Sequence, residues 1–210
     1  MTDKVETFWE NTNIANNNIY RDFLSILNWP GVVTDTASGL RLTAKTLTPL
    51  QALVPMDYAQ VDKMILHLCL QVQVLQKYNK GLFGFTLADV RVIDTDVYFL
   101  ANLANVIDIR TGTGTGAGTD TNNILLNFTY PLKFTTEKQQ FFAPELKAKL
   151  AEKVLPFTIT SSVGYYSLAK LCLYCLQLED NMEVLAGSKM YYFLKRCLNV
   201  NPAERFLLYF

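Results

Sequence analysis

The segment Val163 to Leu178 constrains the fold more than any other part of the chain. Its apolar side chains (Tyr165, Tyr166, Leu168, Leu171, Cys172, Leu173, Tyr174, Cys175 and Leu176) fall on nearly every face of a helix. A surface helix keeps one polar face, so a helix that is apolar all round has to be buried all round. The segment therefore predicts a central post with other helices packed about it. Lys170 interrupts the run, which is also too short to cross a bilayer, so no membrane span is expected.

The composition agrees with a well-filled core. Half of the 210 residues are hydrophobic and 18% are charged, below the usual quarter or so. So little charge leaves apolar surface for a partner to cover. Nineteen basic and nineteen acidic side chains cancel. Without a basic excess, nucleic acid is not expected as a primary ligand. Near neutrality also favours association, so protein partners or self-association are expected.

The four cysteines, Cys69, Cys172, Cys175 and Cys197, all lie in apolar, helix-like surroundings. Cys172 and Cys175 form a C-x-x-C, but a zinc site needs two more clustered ligands and the single histidine, His67, stands alone. They read as buried structural thiols of a reducing compartment, with no metal expected. The start, MTDKVETFWENTN, has no apolar run after its charges and does not read as a signal peptide. The expected location is cytoplasmic. Asn127-Phe128-Thr129 is a formal glycosylation sequon that reads as chance without a secretory signal.

Along the chain, residues 2–28 read as two short helices, followed by a turn at Trp29-Pro30-Gly31. Leu40 to Ala44 alternates like a strand. Val61, Met64, Ile65, Leu68, Val72 and Leu75 form one helical stripe, with Asp57 and Gln60 as a capping box and Gly81 just past the end. His67 falls off the stripe's centre and reads as a solvated or hydrogen-bonded helix residue. Val90 to Ile93 and Val97 to Leu100, split by Asp94-Thr95-Asp96, predict a hairpin. The Gly/Thr stretch from Thr111 to Thr119 reads as a flexible loop. Its alternate glycines fit neither G-x-G-x-x-G nor G-x-x-x-x-G-K-[ST], so it is not expected to cradle phosphate. Helices are expected over 144–155, over 189–198 and from Pro202 onward.

This order of elements, a long helix, a hairpin, a polar loop, a Pro-Glu turn and a wholly buried helix, resembles the C-lobe of a protein kinase over roughly residues 40–210. Phe142-Ala143-Pro144-Glu145 resembles the Ala-Pro-Glu that closes a kinase activation segment. Gly164-Tyr165-Tyr166-Ser167-Leu168-Ala169 resembles the Asp-x-Trp-Ser-Leu-Gly that opens the buried helix. Arg196-Cys197-Leu198 through Asn201-Pro202 to Arg205 resembles the late kinase pattern ending in arginine. The resemblance implies an ion pair between Glu145 and Arg205. The degenerate style is similar to kinase-like proteins of large DNA viruses.

Departures from the family shape the functional expectation. The catalytic loop, His-Arg-Asp with Lys two and Asn five residues after the Asp, is set against Leu87-Ala88-Asp89, Arg91 and Asp94. Asp89, Arg91 and Asp94 are then vestigial candidates. The metal-binding Asp-Phe-Gly is expected near Leu103-Ala104-Asn105, which holds no aspartate, and the helix-opening aspartate is Gly164. A front lobe of five strands and a helix requires at least about 50–60 residues, whereas some 45 precede the expected hinge near Thr46 to Pro49.

The expectation is therefore a mainly α fold with small β-hairpins. A kinase C-lobe-like helical domain spans 46–210, and residues 1–45 form a short cover in place of an absent or vestigial N-lobe. No cofactor or nucleotide is expected. The expected role is a catalytically inactive pseudokinase that serves as an interaction or structural module, packaged in a virus particle in its furthest form. The alternatives are a divergent phosphotransferase with Asp89 as base and an unrelated helical structural protein.

Overall fold

The computed structural model describes residues 7–111, 122–126 and 139–209. The Gly/Thr stretch beyond Thr111 and the Asn127 sequon lie outside the described residues.

The front of the chain forms β1 (Thr7–Asn11), α1 (Asn17–Ile26), β2 (Val32–Thr36) and β3 (Gly39–Ala44). The strands make an antiparallel sheet in the order β1-β3-β2, with Trp9 opposite Leu42 and Val33 opposite the same Leu42. Gly39 opens β3 at φ +157, and a Cβ there would lie 1.8 Å from the Asn11 carbonyl oxygen. No side chain fits where β1 and β3 meet. α1 buries Ile19, Tyr20, Phe23 and Leu24, a stripe at three- and four-residue steps.

The rest begins with β4 (Leu47–Pro49) and α2 (Tyr58–Lys77). Asp57 accepts from the Gln60 N–H at 2.8 Å while the Gln60 side chain accepts from the Asp57 N–H at 2.9 Å, so the capping box closes. β5 (Lys80–Leu82), β6 (Val90–Ile93), β7 (Val97–Leu100), β8 (Val106–Thr111), β9 (Asn122–Leu126) and β10 (Phe157–Thr160) build two more antiparallel sheets, β4-β6-β7 and β10-β9-β8-β5. α3 (Pro144–Glu152), α4 (Val163–Leu176) and α5 (Lys189–Cys197) complete the order.

The expectation of a mainly helical domain with its front lobe absent or vestigial is corrected. Among the described residues three antiparallel sheets are present, and residues 7–44 form a sheet and helix of their own. Residues 7–11, read as helix, are strand because β3 supplies their hydrogen-bond partners some thirty residues later. The helix expected from Pro202 is a single 3₁₀ turn, Pro202–Glu204, after which the chain runs on without regular structure.

α4 is the post of the fold. None of its fourteen residues is exposed, and nine are buried. It stops at Leu176, two residues short of the apolar run, because Gln177 turns left-handed at φ +56 and sends its N–H back to Leu173 and Tyr174. At its start a Cβ on Gly164 would lie 2.2 Å from the Leu82 carbonyl oxygen, so only glycine fits there.

One hydrophobic core runs from α1 through Leu40, Leu42 and Phe99 into α2, α4 and α5. A smaller one joins Phe83, Ile107, Ile124, Phe142, Leu146 and Val163. The free edge of β7 is met by α2 instead of another strand. The Tyr98 N–H donates to His67 Nδ1 at 3.1 Å. Fully buried Gln71 donates to the Tyr98 carbonyl at 2.9 Å and accepts from the Leu100 N–H at 2.8 Å. Two side chains one helical turn apart thus satisfy a buried sheet edge.

Candidate functional site

The loop between β5 and β6 closes on Asp89, which is 3% exposed. Thr86 donates to Asp89 Oδ2 from its N–H and its hydroxyl, both at 2.8 Å. Asn105 Nδ2 donates to the same oxygen at 3.1 Å, and Asn102 Nδ2 donates to Oδ1 at 2.7 Å. The Asp89 carbonyl accepts from the Ala101 and Asn102 N–H groups at 2.8 and 3.2 Å. A single residue therefore ties the loop to the chain leaving β7. The other end of the loop is anchored on α4, where Ser167 Oγ accepts from the Phe85 N–H at 2.7 Å. That hydroxyl steadies the loop although the position of the family's helix-opening aspartate is held by Gly164.

The sheet and helix of residues 7–44 are clamped onto this region by aromatic rings. Trp9 meets Tyr20 edge-on at 4.7 Å and Phe99 at 5.2 Å. The Tyr20 hydroxyl donates to the Ala101 carbonyl at 3.1 Å. Burial, and after it the Asp89 charge, pushes that phenol well above its usual range, so Tyr20 stays a neutral donor.

Asp89, Arg91 and Asp94 do not form one constellation. Arg91 turns its guanidinium back onto the Ala88 and Val90 carbonyls at 3.3 and 3.4 Å. Asp94 sits at the far end of β6, in the left-handed region at φ +49. There it accepts from Trp29 Nε1 at 3.0 Å and from the Lys45 and Thr46 N–H groups at 2.8 and 3.1 Å. Burial pushes its carboxyl up, but these hydrogen bonds and the nearby Lys45 charge outweigh it and hold it below the usual range. Asp94 staples the β6–β7 turn to Trp29 and to the chain entering β4.

Since residues 90–93 are paired strand, a catalytic loop cannot run from Asp89 to Asp94. Asp89 is instead the last residue before β6, and Gly84 lies at the opposite end of its loop. A Cβ on Gly84 would lie 2.4 Å from the Phe142 ring. The first residue after the turn out of β7 that reaches the site is Asn102, one position before the triplet expected to match Asp-Phe-Gly. Sequence reasoning missed Asn102, Asn105, Thr86 and Ser167. The only signal was the pair of asparagines just past the hairpin.

Arg205 donates from Nη1 to Glu145 Oε1 and from Nη2 to Oε2 at 3.2 Å. It also donates from Nε to the Asn199 carbonyl at 2.7 Å and lies over the Tyr166 ring at 4.9 Å. The arginine side chain is fully buried. All four cysteines are free and buried, and burial pushes the Cys175 and Cys197 thiols up to about 12. Among the described residues, no three His, Cys, Asp or Glu side chains are grouped to hold a metal ion. In the same residues, no helix is long and apolar enough to cross a membrane.

No protein-family model matches the sequence, and no curated protein does. Solved structures do. The granulovirus kinase PK-1 of Cydia pomonella is similar with a TM-score of 0.52 at 13% identity, over 97% of this chain and 81% of that one. The chain has a protein-kinase-like fold. The likeness takes in the front sheet as well as the back lobe, so it is not a C-lobe alone. The expectation that the chain is no enzyme is corrected on the same finding: one of its supports was a missing front lobe, and the similar structure is a kinase. At 13% identity the likeness speaks to the fold alone.

Proposed function

We propose that this protein uses a kinase-like fold as a protein-interaction module, with the Asp89 cluster acting as internal structure. Residues up to about 45 form its front lobe and the remainder its back lobe. The observation that carries this reading is the engagement of both Asp89 carboxylate oxygens by Thr86, Asn102 and Asn105. A general base needs a lone pair directed at the incoming hydroxyl, and a magnesium ion needs oxygens directed at the metal. Here the amides of Asn102 and Asn105 present N–H groups to the carboxylate instead. In this arrangement the carboxylate is turned to donors of its own loop and of the chain leaving β7. Trp9 on β1 and Tyr20 on α1 meet ring to ring, whereas kinases join a front-lobe strand and helix by a lysine–glutamate pair.

A second reading, a divergent phosphotransferase, is favoured by the likeness to a viral kinase along nearly the whole chain. It requires Asn102 and Asn105 to release Asp89. Thermal unfolding during titration with magnesium and adenosine triphosphate separates the two. The interaction module shows no saturable rise in midpoint. A phosphotransferase rises by the logarithm of ligand over Kd and transfers labelled phosphate.

A further inference from the structure

The chain after Arg205 runs as an extended strap along α5. Its side chains alternate. Leu207 and Tyr209 turn onto the core, where the Tyr209 ring meets Phe193 at 5.0 Å, while Phe206 and Leu208 stay 51% and 41% exposed. Its carbonyls alternate too: Arg196 donates from Nε to the Phe206 carbonyl at 3.4 Å and from Nη2 to the Leu208 carbonyl. A repeat of two in both is what extended backbone gives. The Tyr209 hydroxyl, donating to Asp62, fastens the far end.

Strap and helix together make one outward surface. Tyr192 is 58% exposed and lies one helical turn before Arg196, with exposed Lys195 three residues after it. The Arg196 guanidinium lies over the Phe206 ring at 4.4 Å, so it is held flat between α5 and the strap. Its Nε and Nη2 are used on the two carbonyls, whereas Nη1 has no acceptor among the described residues. In the same residues neither Arg196 nor Lys195 has an ion-pair partner. The carboxylates of the flanking turns are engaged by other groups: Glu183 accepts from the Tyr191 hydroxyl, and Glu204 from Asn199 and Asn201. The surface thus joins three exposed apolar side chains to two uncompensated cations.

We propose that this surface docks an acidic segment of a protein partner, with a carboxylate set beside apolar or aromatic side chains. The assignment rests on the interaction-module reading and supplies its contact surface. The carboxylate meets Arg196 Nη1 and the Lys195 ammonium, a charge-assisted contact to a guanidinium already fixed in place. The apolar side chains cover Tyr192, Phe206 and Leu208. Exposed aromatic rings around an arginine are the side chains that carry binding energy at protein interfaces. Charge complementarity selects the occupant. A second copy would set the same cations against each other, and like charges facing across an interface are disfavoured.

Fluorescence anisotropy on the full chain tests it with three labelled peptides: Glu-Phe-Glu-Leu-Glu, Lys-Phe-Lys-Leu-Lys and Glu-Ala-Glu-Ala-Glu. The first is expected to bind at least about tenfold more tightly than the other two, and less so at high salt. Tyr192→Ser is expected to weaken it at least about fivefold with the unfolding midpoint unchanged. Lys195→Glu is expected to move the preference toward the basic peptide, and it decides alone should Tyr192→Ser fail to fold. Val32→Ser, an exposed apolar residue on the front sheet, is expected to change nothing. Equal binding of the three peptides, no binding, or unchanged affinity in Lys195→Glu overturns the surface. Tighter binding of a labelled oligothymidylate than of any peptide overturns a protein partner. Self-association in sedimentation without peptide binding overturns this surface and leaves the interaction reading standing. Magnesium-dependent phosphate transfer with no protein binding removes the interaction reading itself.

Discussion

Asn102 donates its side-chain amide to the Asp89 carboxylate at 2.7 Å, and the Asp89 carbonyl accepts the Asn102 backbone N–H at 3.2 Å. The two residues are thirteen positions apart and embrace the whole β6–β7 hairpin. A carboxylate so placed fixes where the hairpin leaves the loop. Its cost of burial is offset by the donors that surround it.

Asp94 does the equivalent work at the far end of β6. Asp94→Ala removes the acceptor for Trp29 Nε1 and for the Lys45 and Thr46 N–H groups and puts alanine at φ +49. The expected loss is about 2–4 kcal/mol in urea unfolding. Asp94→Asn keeps an accepting oxygen and tolerates the left-handed backbone, so it should lose about half as much. Equal losses would assign the effect to the carboxylate's charge alone.

His67 gives a pH dependence. Burial, then the Lys63 charge, lowers its imidazole from about 6.5 to about 4, with Asp96 opposing. The unfolded chain binds the proton that the folded chain refuses. This contribution is complete above about pH 6.5 and is lost as the pH falls toward 4. The loss reaches about 3 kcal/mol at most. Chemical-denaturant unfolding at pH 7 and 4.5 should show it in the parent chain. His67→Gln, with nothing to protonate, should show a correspondingly shallower loss. An imidazole titration midpoint near 6.5 in nuclear magnetic resonance would refute the buried assignment.

These partners explain what the sequence could and could not reveal. The α4 post and the capped α2 were legible because their signals are local: apolar residues on every face, and Asp57 three residues before Gln60. β1 was not, because the strand character of Phe8-Trp9-Glu10 is supplied by β3, far along the chain. The grouping of Asp89, Arg91 and Asp94 failed for a different reason. A lone Asp89 was matched to the family's base with Arg91 and Asp94 after it, although the hairpin expected over Val90 to Leu100 already ends the loop at Asp89.

The Glu145–Arg205 pair joins α3 to the chain after α5. Arg205→Met leaves the Glu145 carboxylate and the Asn199 carbonyl without the guanidinium. The expected loss is about 3–5 kcal/mol. Arg205→Lys is expected to recover little of it, since a lysine cannot make the two-pronged contact and reach Asn199 together. Full recovery by lysine would mean that charge alone matters there.

The central claim is that the Asp89 carboxylate belongs to the fold. Side chains kept for chemistry are commonly held at the expense of stability, so their removal is neutral or stabilising. Removal of a structural anchor leaves its donors buried and unpaired. Equilibrium unfolding of Asp89→Ala against the parent chain decides between them. A loss of about 3 kcal/mol or more supports the account, and unchanged or increased stability contradicts it.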